Sequence, residues 1–206
     1  MPTFSVLLAF LVTSLVITAV PGISVSALLS TALGRGLIAG LWQELGAQLG
    51  RCSIILIVAV ALQAINGFVS AAFDYIKYAG AAYLVWLAWG YLTSRHSLSI
   101  KEGGRPLSPW RQTLAGYLVV WSNPKALIFF GAFMPQFVDQ KYTAWPQVLL
   151  LGVIYMLAAL ATDGAYMALA SFARSAITGE RVAIVNRIAG VVLLGAAVWL
   201  ATLHQS

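Results

Sequence analysis

Residues 3 to 33 read TFSVLLAFLVTSLVITAVPGISVSALLSTAL, and none of these 31 side chains is charged. A straight helix needs about 20 apolar residues to cross the roughly 30 Å hydrocarbon core of a bilayer, so the run exceeds one span. Its interior carries Pro21 and Gly22, and proline removes a backbone donor and clashes with the carbonyl four residues earlier. The run therefore reads as one membrane segment that is tilted, or broken at Pro21-Gly22.

The rest of the chain repeats the pattern. Charged residues divide it into further apolar runs at Leu37 to Ala64, Ile76 to Thr93, Gln112 to Phe137, Pro146 to Phe172 and Arg187 to Leu203. Composition agrees: 61% of residues are hydrophobic and 9% charged, with a mean hydropathy of +0.88, whereas a soluble globule carries about 25% charged residues. The runs are too long, and alternate too little, for the strands of about 10 residues that build a membrane barrel. The expected fold is an all-α membrane protein of about six transmembrane helices. It forms a single membrane domain over residues 1–206.

The first positive side chain is Arg35, so the N-terminal run lacks the basic flank of a signal peptide and reads as mature protein. Loop charge then orients the chain, because cytoplasmic loops favour Lys and Arg. Arg35 lies in the first connection, Arg95, Lys101, Arg105 and Arg111 in the third, and Arg174, Arg181 and Arg187 in or beside the fifth. The second and fourth hold mainly Asp74 with Lys77, and Asp139 with Lys141. Odd connections are expected in the cytoplasm and both termini outside. The net charge of +6 follows from this asymmetry, with no nucleic-acid partner needed.

Six spans divide into two three-helix halves, residues 1–94 and 112–206, joined by a basic cytoplasmic loop at 95–111. An odd number of spans per half inverts one half relative to the other, as in many secondary transporters. The expected fold thus has broken first and fourth helices, since Asn123-Pro124 interrupts the second half where Pro21-Gly22 interrupts the first. Packing kinks alone would explain one break. Two in corresponding places read either as a pair of packing kinks or as a solute site near the midplane, framed by half-helix ends.

Four ionisable residues fall inside the spans: Glu44, Arg51, Lys125 and Asp163. Such groups are expensive in lipid and are expected to face the bundle interior. At 100° per residue, Gly36, Gly40, Gln43, Glu44, Ala47, Gln48, Gly50 and Arg51 share one side of the second helix. Gly152, Tyr155, Ala159, Asp163, Tyr166 and Ala170 share one face of the fifth. Glu44 and Arg51 are placed to pair with each other or with partners on other helices, and Asp163 with a cation such as Lys125. These charges serve either as mutual neutralisation or as binding and coupling groups. Trp110, Trp145 and Trp199 read as interfacial anchors, and Trp121 as packing or cavity lining.

Nothing points to an enzyme. No catalytic nucleophile-base arrangement is visible, and His96 and His204 lie in a loop and at the tail. No metal site and no cofactor are expected, and the single cysteine, Cys52, reads as packing filler.

Several segments together resemble the LysE/RhtB family of amino-acid exporters, the LysE-type translocators. VPGISVSALLSTALGRGLIAG is similar to the family's first-helix Pro-Gly segment and its Arg-Gly-x-x-x-Gly entry to the second helix. YAGAAYLVWLAWGYL resembles its third-helix signature, and WSNPKALIFFGAFMPQFVD its Asn-Pro-Lys segment. The resemblance implies an exporter of amino acids or related small metabolites in a bacterial-type inner membrane, coupled to protons as an antiporter, and allows a homodimer. It points to Pro21, Gly22, Asn123, Pro124, Lys125 and Asp163. Two departures stand out: Ile23 and Ser24 follow Pro-Gly where the family often has Pro and Asn, and Arg51 follows Gly50 where it commonly has an acidic residue. The alternatives are a cation exporter and a non-transporting membrane subunit.

Overall fold

The computed structural model describes residues 2–64 and 107–172, together with the isolated helical positions 78, 82, 85, 86, 89, 191, 194, 195 and 198. Most of the third and sixth apolar runs and of the basic loop therefore lies outside the described residues. The described residues are helical apart from short connections, and no strand occurs among them.

The first run is broken, not merely tilted. Helix α1 (Phe4–Ala19) starts at Thr3, whose hydroxyl accepts from the Val6 amide, and ends at Val20 in an extended conformation. Pro21 explains that ending, because the residue before a proline is pushed out of the helical region. Gly22 is extended too, and α2 (Ile23–Arg35) then restarts at 54° to α1. The second half repeats the device: α4 (Pro109–Trp121) stops at Ser122, Asn123 is extended ahead of Pro124, and α5 (Pro124–Phe137) departs at 58°. Helix α5 is α-helical to Ile128, π-helical over Phe129–Phe133 and 3-10 over Met134–Phe137. Pro135 accounts for the change, since its ring clashes with the carbonyl four residues earlier.

Two unbroken helices complete the described bundle, α3 (Leu37–Ala64) and α6 (Ala144–Phe172). Each is long and apolar enough to cross a membrane, and each bent pair passes the same test as one broken span. The run predicted at Leu37–Ala64 matches α3, while the runs predicted from Gln112 and Pro146 begin earlier, at Pro109 and Ala144. Gly36 departs from expectation: it is not part of the packed side of α3 but the left-handed cap between α2 and α3, with φ of +94°. A side chain would strain that backbone.

Glycines fix how the helices cross. A Cβ on Gly46 would lie 1.8 Å from the Thr113 carbonyl oxygen, and one on Gly116 would lie 1.9 Å from that of Gln43. Gly50 faces Tyr117 and Val120 further along, so α3 and α4 run parallel in near backbone contact. Helix α6 runs antiparallel to α3, with Gly152 against Ile55 at one end and Met167 beside Gly40 at the other. Consequently the chain leaves α2 at Arg35, enters α4 at Pro109 and leaves α6 at Phe172 on one common side of the bundle.

The core lies between α1, α5 and α6. Phe10, Phe129, Phe130, Phe133 and Tyr155 are buried in one aromatic cluster. The Tyr155 ring lies 4.7 Å from those of both Phe129, tilted, and Phe130, edge-on, and Phe10 meets Phe137 edge-on at 5.0 Å. The outward faces carry exposed Leu, Ile, Val and Trp side chains, as a lipid-facing surface requires.

Candidate functional site

The two breaks meet. Asn123 caps α5 through its side-chain oxygen, which accepts from the Lys125 amide at 3.0 Å, and its amide nitrogen donates to Ser24 Oγ at 2.8 Å. Ser24 lies in the first turn of α2, so one side chain ties the start of both second half-helices together. Lys125, two residues on, sends its ammonium back to the end of α1, where it donates to the carbonyls of Ile17 at 2.8 Å and Val20 at 3.1 Å. The Tyr166 hydroxyl donates to the Ala19 carbonyl. Helix ends leave such carbonyls without partners and carry partial negative charge, which a cation neutralises.

One turn before Tyr166 on α6 is Asp163, 2% exposed. Its Oδ2 accepts from Arg51 Nη2 at 2.6 Å, while Arg51 Nη1 donates to Glu44 Oε1 at 2.9 Å. Gln48 Nε2 adds a third contact, 2.8 Å from the same Glu44 oxygen. The expected Glu44–Arg51 pairing is present. Asp163, by contrast, is bound by Arg51 and not by Lys125, whose ammonium is taken by the end of α1. The guanidinium suits this position because its forked donors reach two carboxylates at once.

Two small cavities flank the Arg51–Asp163 pair. The first is walled by Gly22, Ser24 and Val25 from the α2 start, Asn123 and Lys125 from the α5 start, and Tyr155 from α6, besides the ion pair itself. It offers about 20 Å³ to the centre of a water molecule, room for a water or two and far less than an amino acid needs. The second is walled by Glu44, Gln43, Leu28 and Gly116, and again by Arg51 and Asp163. Both cavities thus share the buried Arg51–Asp163 pair as a wall.

Of the eight residues singled out from the sequence, Gly22, Arg51, Asn123, Lys125 and Asp163 border the first cavity and Glu44 the second, whereas Pro21 and Pro124 set the breaks and line neither. Trp121 donates to Ser53 at 3.0 Å and is half-buried. Ser24 and Tyr166 were not among the eight. Tyr166 was readable as a stripe-mate of Asp163, but its partner 147 residues away was not. Gln112 is buried on α4, and neither of its side-chain polar atoms has a hydrogen-bond partner among the described residues.

A family model for LysE type translocators matches residues 15–204. The chain belongs to that family. This translocator is 31% identical over 196 residues to an uncharacterized membrane protein of Vibrio cholerae, covering 95% of this chain and 96% of the other. It is 27% identical over 179 residues to a homoserine/homoserine lactone efflux protein of Salmonella typhimurium, 87% of each chain. A leucine efflux protein of Klebsiella pneumoniae is 26% identical over 211 residues, covering 96% of this chain and 95% of its own. No solved structure matches the translocator. A multi-pass membrane protein of an efflux family is therefore what the fold and the relatives together establish.

Proposed function

We propose that this translocator exports amino acids or related small metabolites across the inner membrane, by proton antiport and alternating access through the meeting point of the two breaks. The observation that supports this most is the pair of cavities on either side of Arg51–Asp163. Two cavities that share one buried ion pair as their common wall suit a passage narrowed at that pair. The relatives' names, homoserine and leucine efflux, supply the solute class.

The residues divide the work by charge. A solute carboxylate is received by the first-turn amides of α2, which has no side-chain cap at Gly22, with Lys125 and Arg51 close by. Its ammonium is received by Asp163 or Glu44. A proton taken up by one of those carboxylates releases Arg51 and biases the opposite-facing state. Pro21, Gly22, Asn123 and Pro124 keep the backbone open there. The common side shared by Arg35, Pro109 and Phe172 is the cytoplasmic one by its basic flanks, which leaves both termini outside.

The test is counterflow in proteoliposomes with labelled amino acids, with and without a pH gradient. Exchange of at least one amino acid, accelerated by the gradient, is expected. A folded, inserted protein that exchanges none would refute export, and exchange indifferent to the gradient would refute proton coupling.

A further inference from the structure

The four charged groups that line these cavities balance. Glu44 and Asp163 contribute two negative charges, Arg51 and Lys125 two positive ones, and Arg51 lies 2.9 and 2.6 Å from the two carboxylates. Arg51 therefore stands where a solute's cation would stand. Lys125 borders the same cavity, but it is engaged by the carbonyls of Ile17 and Val20. The remaining walls combine buried Val25, Val120 and Ala126 with the uncharged polar side chains of Thr18, Ser24, Asn123 and Tyr155, and Asp163 is the one carboxylate among the described lining residues.

A zwitterion entering this space exchanges one for one with the existing contacts. Its ammonium replaces the guanidinium on a carboxylate, the freed guanidinium meets its carboxylate, and the site stays neutral. A solute with an additional cationic side chain brings a charge with no further carboxylate to meet among the described lining residues, beside two cations already present. Buried charge without a partner is strongly disfavoured.

Resting on the export reading above, we infer that Arg51 is the residue that sets charge selectivity, admitting net-neutral zwitterionic amino acids and excluding those with cationic side chains. Specificity of this kind comes from a repulsive element as well as an attractive one. Arg51 is both: a placeholder on the carboxylates and a like charge against basic solutes.

Counterflow in proteoliposomes tests it, with leucine and homoserine as neutral probes and lysine and arginine as cationic ones, in the full-length protein and in Arg51→Gln. The wild type is expected to exchange neutral probes at least roughly tenfold faster than cationic ones. Arg51→Gln leaves the site one charge negative and is expected to raise the cationic-to-neutral ratio by at least roughly tenfold. Equal exchange of both classes by the wild type overturns the inference, as does an unchanged ratio in a folded Arg51→Gln. Should that variant not fold, Arg51→Lys keeps the charge and must keep the wild-type ratio; a ratio shifted toward cationic probes overturns the inference. Absence of all exchange by the wild type instead removes the export reading itself, so the two failures are distinct.

Discussion

The ammonium of Lys125 lies 2.8 Å from the carbonyl oxygen of Ile17, so the first residues of α5 close the broken end of α1. A second bond to Val20 and the Tyr166 hydroxyl on Ala19 complete a cap made entirely by distant parts of the chain. No residue of α1 itself can supply it, because Pro21 ends the helix where its own next amides would have come.

Lys125→Met keeps the length of the stem and removes both bonds. It leaves the Ile17 and Val20 carbonyls unpaired in a dry interior, at about 1–3 kcal/mol. The expected outcome is a lower midpoint of thermal unfolding in detergent, with a smaller drop in Tyr166→Phe, which loses one bond of about 1 kcal/mol. An unchanged midpoint in Lys125→Met would show that α1 ends without help.

Near backbone contact between α3 and α4 leaves no room for a methyl group. A Cβ at Gly46 or Gly116 falls within 2 Å of a carbonyl oxygen on the facing helix, and backbone gives way less readily than a side chain. Gly46→Ala and Gly116→Ala are each expected to destabilise by about 3 kcal/mol or more, at or beyond the upper end of overpacking effects. Gly131→Ala is the control, since its Cβ meets nothing within 4 Å. Equal yields of folded protein from all three would contradict the crossing described.

Gln112 is buried, and neither of its amide atoms has a partner among the described residues. Replacing it by a leucine of similar volume removes two unsatisfied polar atoms, and Gln112→Leu is expected to raise stability by about 1–3 kcal/mol. A fall in the unfolding midpoint would mean that the amide has a partner in the membrane-embedded protein.

Asp163→Asn preserves the side chain's size and discards its charge. Arg51 keeps Glu44 at 2.9 Å, so the protein is expected to fold and insert, while exchange driven by a pH gradient is lost. Full gradient-driven exchange at matched protein content would remove Asp163 as the proton carrier.

Much of this was legible in the sequence, for reasons that differ by residue. The bounds of α3 follow from the apolar run that charged residues mark out at Leu37 to Ala64. Its buried side follows from helical period, which places Gln43, Glu44, Ala47 and Arg51 together, and all four are buried. Both breaks follow from proline's missing donor and its effect on the preceding residue. Long-range partners were not legible. Helical period orients Asp163 inward but does not choose between Arg51 and Lys125 as its cation, and that choice is made by how far α5 reaches toward α1. Nor does it tell which glycines meet: Gly40, Gly46, Gly50 and Gly116 look alike until the helices are placed side by side. Gly36 was misread because a cap glycine and a packing glycine have the same identity and differ only in backbone angle.

The central claim is that solute passes where the two breaks meet, so that they must part during transport. Ser24 and Asn123 span that meeting point at 2.8 Å. In a Cys52→Ser background, Ser24→Cys with Asn123→Cys can be joined by oxidation or by a short bifunctional thiol reagent, and amino-acid counterflow measured before joining, after it, and after reduction. The joined protein is expected to stay folded, exchange nothing, and recover on reduction. Undiminished exchange by fully joined protein would contradict it.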